Sequence, residues 1–189
     1  MAEGDGDAKT ACTLVFDTST LSSFARAERL SLLEALTERH RRLVTRAVLD
    51  ELRRGTDRRP RLGDVEVLRW LKDVAVDSLE ELIAFASYTQ ILGVSTRDVG
   101  EASTLACVEV NGGIAVLDDQ VGVTAARERG VRVRRSLALI ASGVQERVMD
   151  ESAAAELVDR LVHVGGARFP CDGASFLRWT EANGLLVRG

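Results

Sequence analysis

Residues 12–20 read Cys-Thr-Leu-Val-Phe-Asp-Thr-Ser-Thr, an apolar run that ends in one acid and three hydroxyl side chains. The run is short and contains β-branched and aromatic residues, so it predicts a buried strand. Asp17 and the hydroxyl residues that follow it are typical of a helix N-terminus, where such side chains accept hydrogen bonds from free amide groups. The stretch therefore predicts a strand followed at once by a helix, the unit from which parallel α/β sheets are built.

The same alternation of strands and helices continues to about residue 148. Four further short apolar segments predict strands, at residues 43–44, 74–76, 114–117 and 131–133. Amphipathic segments predict the helices between them, at residues 21–27, 30–38, 46–54, 77–92, 101–110, 121–129 and 136–148. Thr45 and Ser136 are expected to cap the helices that follow them. This order predicts an α/β fold with a parallel sheet and right-handed connections.

The chain is expected to contain one α/β domain with additions at both ends. Its 189 residues suffice for one core but not comfortably for two. Residues 1–11 are polar and mostly acidic and predict a disordered N-terminus, and residues 12–150 form the predicted domain. Residues 151–189 show two helical segments and no strand, which predicts a C-terminal helical appendage.

Composition argues against several classes of protein. The three cysteines are widely spaced and form no C-x-x-C pair, so neither a zinc cluster nor a disulfide framework is expected. The N-terminus does not resemble a signal peptide, and no apolar stretch approaches the roughly 20 residues of a membrane span. The expected location is therefore the cytoplasm, with no membrane partner.

The charge is unevenly distributed. The net charge is −4, yet residues 39–61 hold nine arginines against three acids, a local charge of +6. A second basic stretch holds Arg127, Arg129, Arg132, Arg134 and Arg135 against Glu128. Either stretch alone is explained by a solvated helix face, but both flank acids that are candidates for a site. Arginines beside an acidic site suit a phosphate backbone, so Arg46, Arg53, Arg54 and Arg127 are the predicted substrate-binding residues.

Acidic residues occupy four positions at which their side chains could converge on one site. Asp17 ends the first strand, Asp118 and Asp119 end the strand at 114–117, and Glu51 and Glu101 face the apolar side of predicted helices. Acids at the carboxyl ends of parallel strands face the crevice where such sheets bind ligands. Clustered carboxylates raise one another's pKa unless a cation neutralises them, and hard oxygen ligands suit Mg²⁺ or Mn²⁺. The pattern predicts a metal-dependent phosphodiesterase, with Ser19 orienting water or Asp17.

Each acid also has a structural interpretation. Asp17 is a natural helix cap, and the dipole of the helix that Glu101 opens stabilises that acid. Glu51 could reach water from the edge of the core, and the Asp118–Asp119 pair could simply form a turn. The ordered combination of all four positions favours the functional interpretation.

The motifs carry a family resemblance. Val15-Phe16-Asp17-Thr18-Ser19-Thr20, Val48-Leu49-Asp50-Glu51-Leu52, Gly100-Glu101-Ala102-Ser103-Thr104-Leu105-Ala106 and Val116-Leu117-Asp118-Asp119 resemble, in order and spacing, the acidic motifs of PIN-domain nucleases. The Gly-Glu-Ala element and the Asp-Asp strand end resemble those of small stand-alone prokaryotic PIN proteins, many of which are VapC-type toxin ribonucleases paired with an antitoxin.

The resemblance implies a PIN-like parallel sheet flanked by helices, with Asp17, Glu51, Glu101 and either Asp118 or Asp119 around Mg²⁺ or Mn²⁺. It further implies an endoribonuclease acting on RNA and a possible cognate antitoxin. A homodimer is expected from the apolar residues of the C-terminal tail and of the helix at 77–92, which could instead form a groove for the antitoxin. Leu117 stands where many family members carry Thr or Ser, which keeps open a catalytically silent fold that binds RNA or protein. Leu82, Phe85 and Ala86, on the helix at 77–92, are candidates for a partner surface, although core packing explains them equally well.

Overall fold

The computed structural model describes residues 11–56, 68–93 and 99–186. Apart from residue 11, the predicted disordered N-terminus lies outside these residues, as do Arg58, Arg59 and Arg61 of the first basic stretch. The strands are β1 (Thr13–Phe16), β2 (Arg41–Thr45), β3 (Lys72–Val74), β4 (Ile114–Val116) and β5 (Val133–Arg134). The helices are α1 (Thr18–Arg26), α2 (Leu30–Leu36), α3 (Arg46–Thr56), α4 (Leu79–Leu92), α5 (Val99–Asn111), α6 (Gln120–Glu128), α7 (Ser136–Gln145), α8 (Glu151–His163) and α9 (Gly173–Ala182).

Within the described residues the strands form one parallel sheet in the order β3-β2-β1-β4-β5. β1 is central, with Phe16 aligned to Val44 of β2 on one side and to Val116 of β4 on the other. This register brings the carboxyl ends of β1 and β4 together, and the Asp17 amide donates to the Val116 carbonyl at 3.0 Å. The predicted α/β fold with a parallel sheet is confirmed.

Two hydrophobic layers cover the sheet because side chains alternate between its faces. Phe16 points into the layer formed with α1, α2, α3, α7, α8 and α9, whereas Val15 points into the layer formed with α4, α5 and α6. Leu157, Val158 and Leu161 of α8 belong to the same cluster as Phe16. The C-terminal helices α8 and α9 therefore pack on the same face of the sheet as α1.

Some element boundaries differ from the sequence predictions. α1 begins at Thr18, three residues before its predicted start, because Asp17 caps it by accepting from the Ser19 amide. β3 begins two residues early because its polar residues Lys72 and Asp73 pair with Leu43 and Val44 at the sheet edge. No helix among the described residues is long and apolar enough to span a membrane.

Candidate active site

Asp17 stands at the carboxyl end of the central strand and is 3% exposed. Its Oδ2 accepts two hydrogen bonds from Ser19, one from the amide at 2.9 Å and one from the hydroxyl at 2.5 Å. Burial raises the pKa of the Asp17 carboxyl, the hydrogen bonds from Ser19 oppose that rise, and the nearby charge of Asp118 adds to it. The acid is thus held in one orientation at a position where its negative charge is poorly solvated.

Glu51 reaches the same edge from α3, whose first turn Thr45 caps by accepting from the Val48 amide. The Thr18 hydroxyl donates to Glu51 Oε2 at 2.6 Å, and the Gly100 amide donates to Oε1 at 2.8 Å. Burial raises the pKa of Glu51, these hydrogen bonds oppose it, and the charge of Asp17 also raises it. Glu51 therefore joins α3 to the starts of both α1 and α5.

Glu101 lies in the first turn of α5 and is 9% exposed. It is aimed at the start of α6, where a Cβ placed on Gly122 would lie 1.7 Å from Glu101 Oε1. A Cβ on Gly100 would similarly lie 2.6 Å from Glu51 Oε2. Two glycines thus leave the space that the two glutamate carboxylates occupy.

The two acids after β4 have different surroundings. Asp118 is partly buried and accepts from Ser136, from the amide at 2.9 Å and from the hydroxyl at 2.6 Å. Burial raises the pKa of Asp118, and Ser136 and the charge of Arg135 oppose that rise. Asp119 is exposed and caps α6 by accepting from the Val121 amide at 2.8 Å. The expected capping role of Ser136 is wrong, since it is the first residue of α7 and donates to Asp118.

All five predicted acids therefore lie at one edge of the sheet, and Asp17 is close enough to Asp118 and Glu51 for their charges to interact. Each of Asp17, Glu51 and Asp118 is held by a hydroxyl group of its own. Within residues 11–56, 68–93 and 99–186, no three Asp, Glu, His or Cys side chains are grouped so as to hold a metal ion. The donor set, made of carboxylate oxygens with glycines beside them, nevertheless suits a hard divalent cation.

A cleft of about 690 Å³ opens beside these acids. Asp118 and Asp119 lie on its wall together with Ser19, and the loop between α8 and α9 forms the opposite side. The four arginines predicted to bind substrate do not line this cleft. Arg46 pairs with Asp73 at 3.5 Å, Arg53 pairs with Asp50 at 2.9 Å, Arg54 bonds the Asp50 carbonyl, and Arg127 is exposed near the far end of α6.

Several residues of the site were missed by the sequence analysis. Ser136 follows a strand just as Asp17 does, so the same strand-end argument could have found it. The cleft arginines Arg26, Arg135 and Arg168 carried no comparable signal, except that Arg135 belongs to the second basic stretch. Thr18 and Gly122 act through contacts between distant segments, which one sequence does not reveal.

A family model, DUF3368, described as a PIN domain, matches residues 13–172, which is most of the chain. The chain belongs to the PIN-domain family. PIN domains are generally nucleases and typically use divalent metals, so the expectation of a PIN-domain nuclease is confirmed at the level of the family. The match to this PIN family runs from β1 through the α8–α9 loop, and therefore includes both walls of the cleft. No curated protein and no solved structure shows significant similarity to the chain.

Proposed function

We propose that this PIN domain is an Mg²⁺- or Mn²⁺-dependent endoribonuclease that hydrolyses phosphodiester bonds in RNA. The observation that carries the proposal is that acids from four separate segments lie at the carboxyl edge of the sheet, where Asp17 is close enough to Glu51 and Asp118 for their charges to interact. Burying carboxylates without a compensating positive charge is costly, and the raised pKa values of Asp17, Glu51 and Asp118 express that cost. A divalent cation would supply the missing positive charge.

The residues that would hold the cation are Asp17, Glu51 and Glu101 together with Asp118 or Asp119. A bound Mg²⁺ or Mn²⁺ would supply Lewis acidity, which favours deprotonation of the attacking water and neutralises charge on the leaving oxygen. The chain's own contribution is orientation: Thr18 and Gly100 fix Glu51, and Ser19 fixes Asp17. Ser19 lines the cleft and can also orient a water molecule.

Cleavage of labelled single-stranded RNA by purified protein tests the proposal. We expect cleavage in Mn²⁺ and none in EDTA, and we expect Asp17→Asn to abolish it. Asp50→Asn is a matched control, because Asp50 neighbours Glu51 but is exposed and paired with Arg53. Equal cleavage by Asp17→Asn, or cleavage that persists in EDTA, would contradict the proposal. DNA of the same sequence should be cut poorly.

A catalytically silent domain is the competing possibility, favoured by the lack of a three-ligand group among the described residues. Leu117, directly after β4, has an aliphatic side chain that is fully buried, so this position supplies no hydroxyl group to the site. A silent domain should show neither cleavage nor stabilisation by Mn²⁺. Measuring cleavage and thermal stability at increasing Mn²⁺ concentrations therefore separates the nuclease from the silent domain.

We further propose that the chain is the VapC-type toxin of a toxin–antitoxin pair, acts in the cytoplasm and forms a homodimer. Support for a partner surface comes from α4, where Leu79, Leu82 and Ile83 are 70%, 48% and 60% exposed. Expression in a bacterial host should arrest growth, and the Asp17→Asn variant should not. Light scattering should give a dimer mass that Ile83→Glu reduces to that of a monomer; a monomeric wild type would contradict the homodimer.

A further inference from the structure

The cleft beside the acids is walled by the C-terminal extension as well as by the sheet edge. Gly166, Ala167, Arg168, Phe169 and Pro170 form the side that faces α1 and the start of α6. This loop is firmly anchored: Arg26 Nε donates to the Gly165 carbonyl at 2.6 Å, and Arg160 Nε donates to the Ala27 carbonyl at 2.6 Å. The two bonds tie α1 and α8 together, so the loop is a fixed part of the cleft.

Two arginines place positive charge in this cleft. Arg168 is exposed on the loop and makes no hydrogen bond or ion pair with the residues that the structure describes. Arg135 is held at the end of β5 by a 2.5 Å hydrogen bond from its guanidinium to Gln120 Oε1. Its Nε is buried and has no hydrogen-bond partner among the described residues. Both guanidinium-bearing side chains thus line the cleft that Asp118 also lines.

We propose that Arg135 and Arg168 bind backbone phosphates of a single-stranded nucleic acid and thereby position it against the acids. Guanidinium groups match phosphate oxygens in geometry and charge. The cleft of about 690 Å³ has the volume of a small-molecule pocket, which suits part of a single strand. This proposal depends on the proposed nuclease function for the location of the scissile bond, but not for binding itself.

The test measures binding without cleavage. Fluorescence anisotropy follows a short fluorescein-labelled single-stranded RNA in EDTA over a range of salt concentrations. Arg168→Ala should weaken binding several-fold and reduce the slope of log K against log salt by about 0.7, the contribution of one phosphate contact on a single strand. Arg168→Lys should keep the wild-type slope. Adding Arg135→Ala to Arg168→Ala should reduce the slope further.

Arg178→Ala is the matched control, because Arg178 is an exposed arginine of the same extension that does not line the cleft. It should leave affinity and slope unchanged, and a duplex of the same sequence should bind more weakly than the single strand. The proposal is overturned if wild type does not bind, if Arg168→Ala binds like wild type, or if Arg178→Ala has the same effect. Binding as expected without Mn²⁺-dependent cleavage would instead remove only the proposed nuclease function.

Discussion

Gly122 of α6 lies against the carboxylate of Glu101 on α5, and any Cβ at position 122 would fall 1.7 Å from Oε1 of that glutamate. The two residues are 21 positions apart, and their contact joins the helix after β4 to the helix that precedes it. The obstacle that a larger residue meets is the end of a flexible side chain, which can rotate away. A substitution at Gly122 therefore acts on the position of the Glu101 carboxylate more than on the packing of the core.

Gly122→Ala is expected to reduce Mn²⁺-dependent cleavage at least tenfold while leaving the free energy of unfolding within about 1 kcal/mol of wild type. The displaced carboxylate removes one ligand, whereas the better helix propensity of alanine offsets the crowding. Thr124→Ala, at an exposed position of the same helix, is the control. Unchanged cleavage by Gly122→Ala would show that Glu101 has no part in the reaction.

Asp17→Asn should stabilise the metal-free protein. The substitution removes a buried negative charge, whose cost appears as the raised pKa of Asp17, and keeps a side chain of the same shape. A gain of about 1 kcal/mol corresponds to a rise in Tm of about 2–4 °C for a chain of this size. Thermal unfolding in EDTA at neutral pH measures it; a lower Tm would mean that the hydrogen bonds from Ser19 outweigh burial.

The pH dependence of that difference follows from the sign of the pKa shift. The folded-state pKa of Asp17 lies above its ordinary value of 3.8, so the folded protein binds more protons than the unfolded chain between the two values. Asp17 therefore lowers stability progressively as pH rises through that window. The Tm difference between Asp17→Asn and wild type should be near zero below pH 3.8 and reach a plateau above the raised pKa. A difference that shrinks as pH rises would contradict the assignment.

Mn²⁺ should reverse the order of Tm between wild type and the Asp17→Asn variant. A ligand that binds only the folded state at 100 times its Kd stabilises a protein by about 2.7 kcal/mol. Wild type should gain Tm in Mn²⁺ and exceed Asp17→Asn, which should gain little. Calorimetry with and without Mn²⁺ makes the comparison, with Asp50→Asn expected to follow wild type. Equal stabilisation of both proteins would place the ion elsewhere.

Ser136→Ala and Ser19→Ala should differ in their cost to stability. Ser136 is 1% exposed and its hydroxyl donates to a partly buried carboxylate, so its loss should lower the free energy of unfolding by about 1–3 kcal/mol. Ser19 is exposed, so water can replace its hydroxyl and the loss should be smaller. Urea denaturation of both variants measures this difference, and a larger loss for Ser19→Ala would contradict it.

The sequence predicted β1 and β4 well because each is a short apolar run followed by an acid, whereas β3 and β5 contain charged residues and overlap their predicted segments by one residue each. It also placed Asp17 and Asp118 at the same edge of the sheet, because they follow strands that proved to be neighbours. It failed for Ser136, because a serine before a helical segment is usually a cap, whereas here its partner is an acid 18 residues earlier. It also did not anticipate the cleft, because Arg168 reaches the site only through the packing of α8 on α1.

The position of β1 in the middle of the sheet has a consequence for synthesis of the protein. β1 leaves the ribosome before the other strands of this sheet, yet its partner β4 is about 100 residues behind it, and Ser136, which fixes Asp118, follows later still. The nascent chain therefore cannot assemble the five acids until β4 and Ser136 have been translated. Such non-local strand pairing is slow to form. During the synthesis of the segments between β1 and β4, the growing polypeptide therefore lacks the complete group of acids.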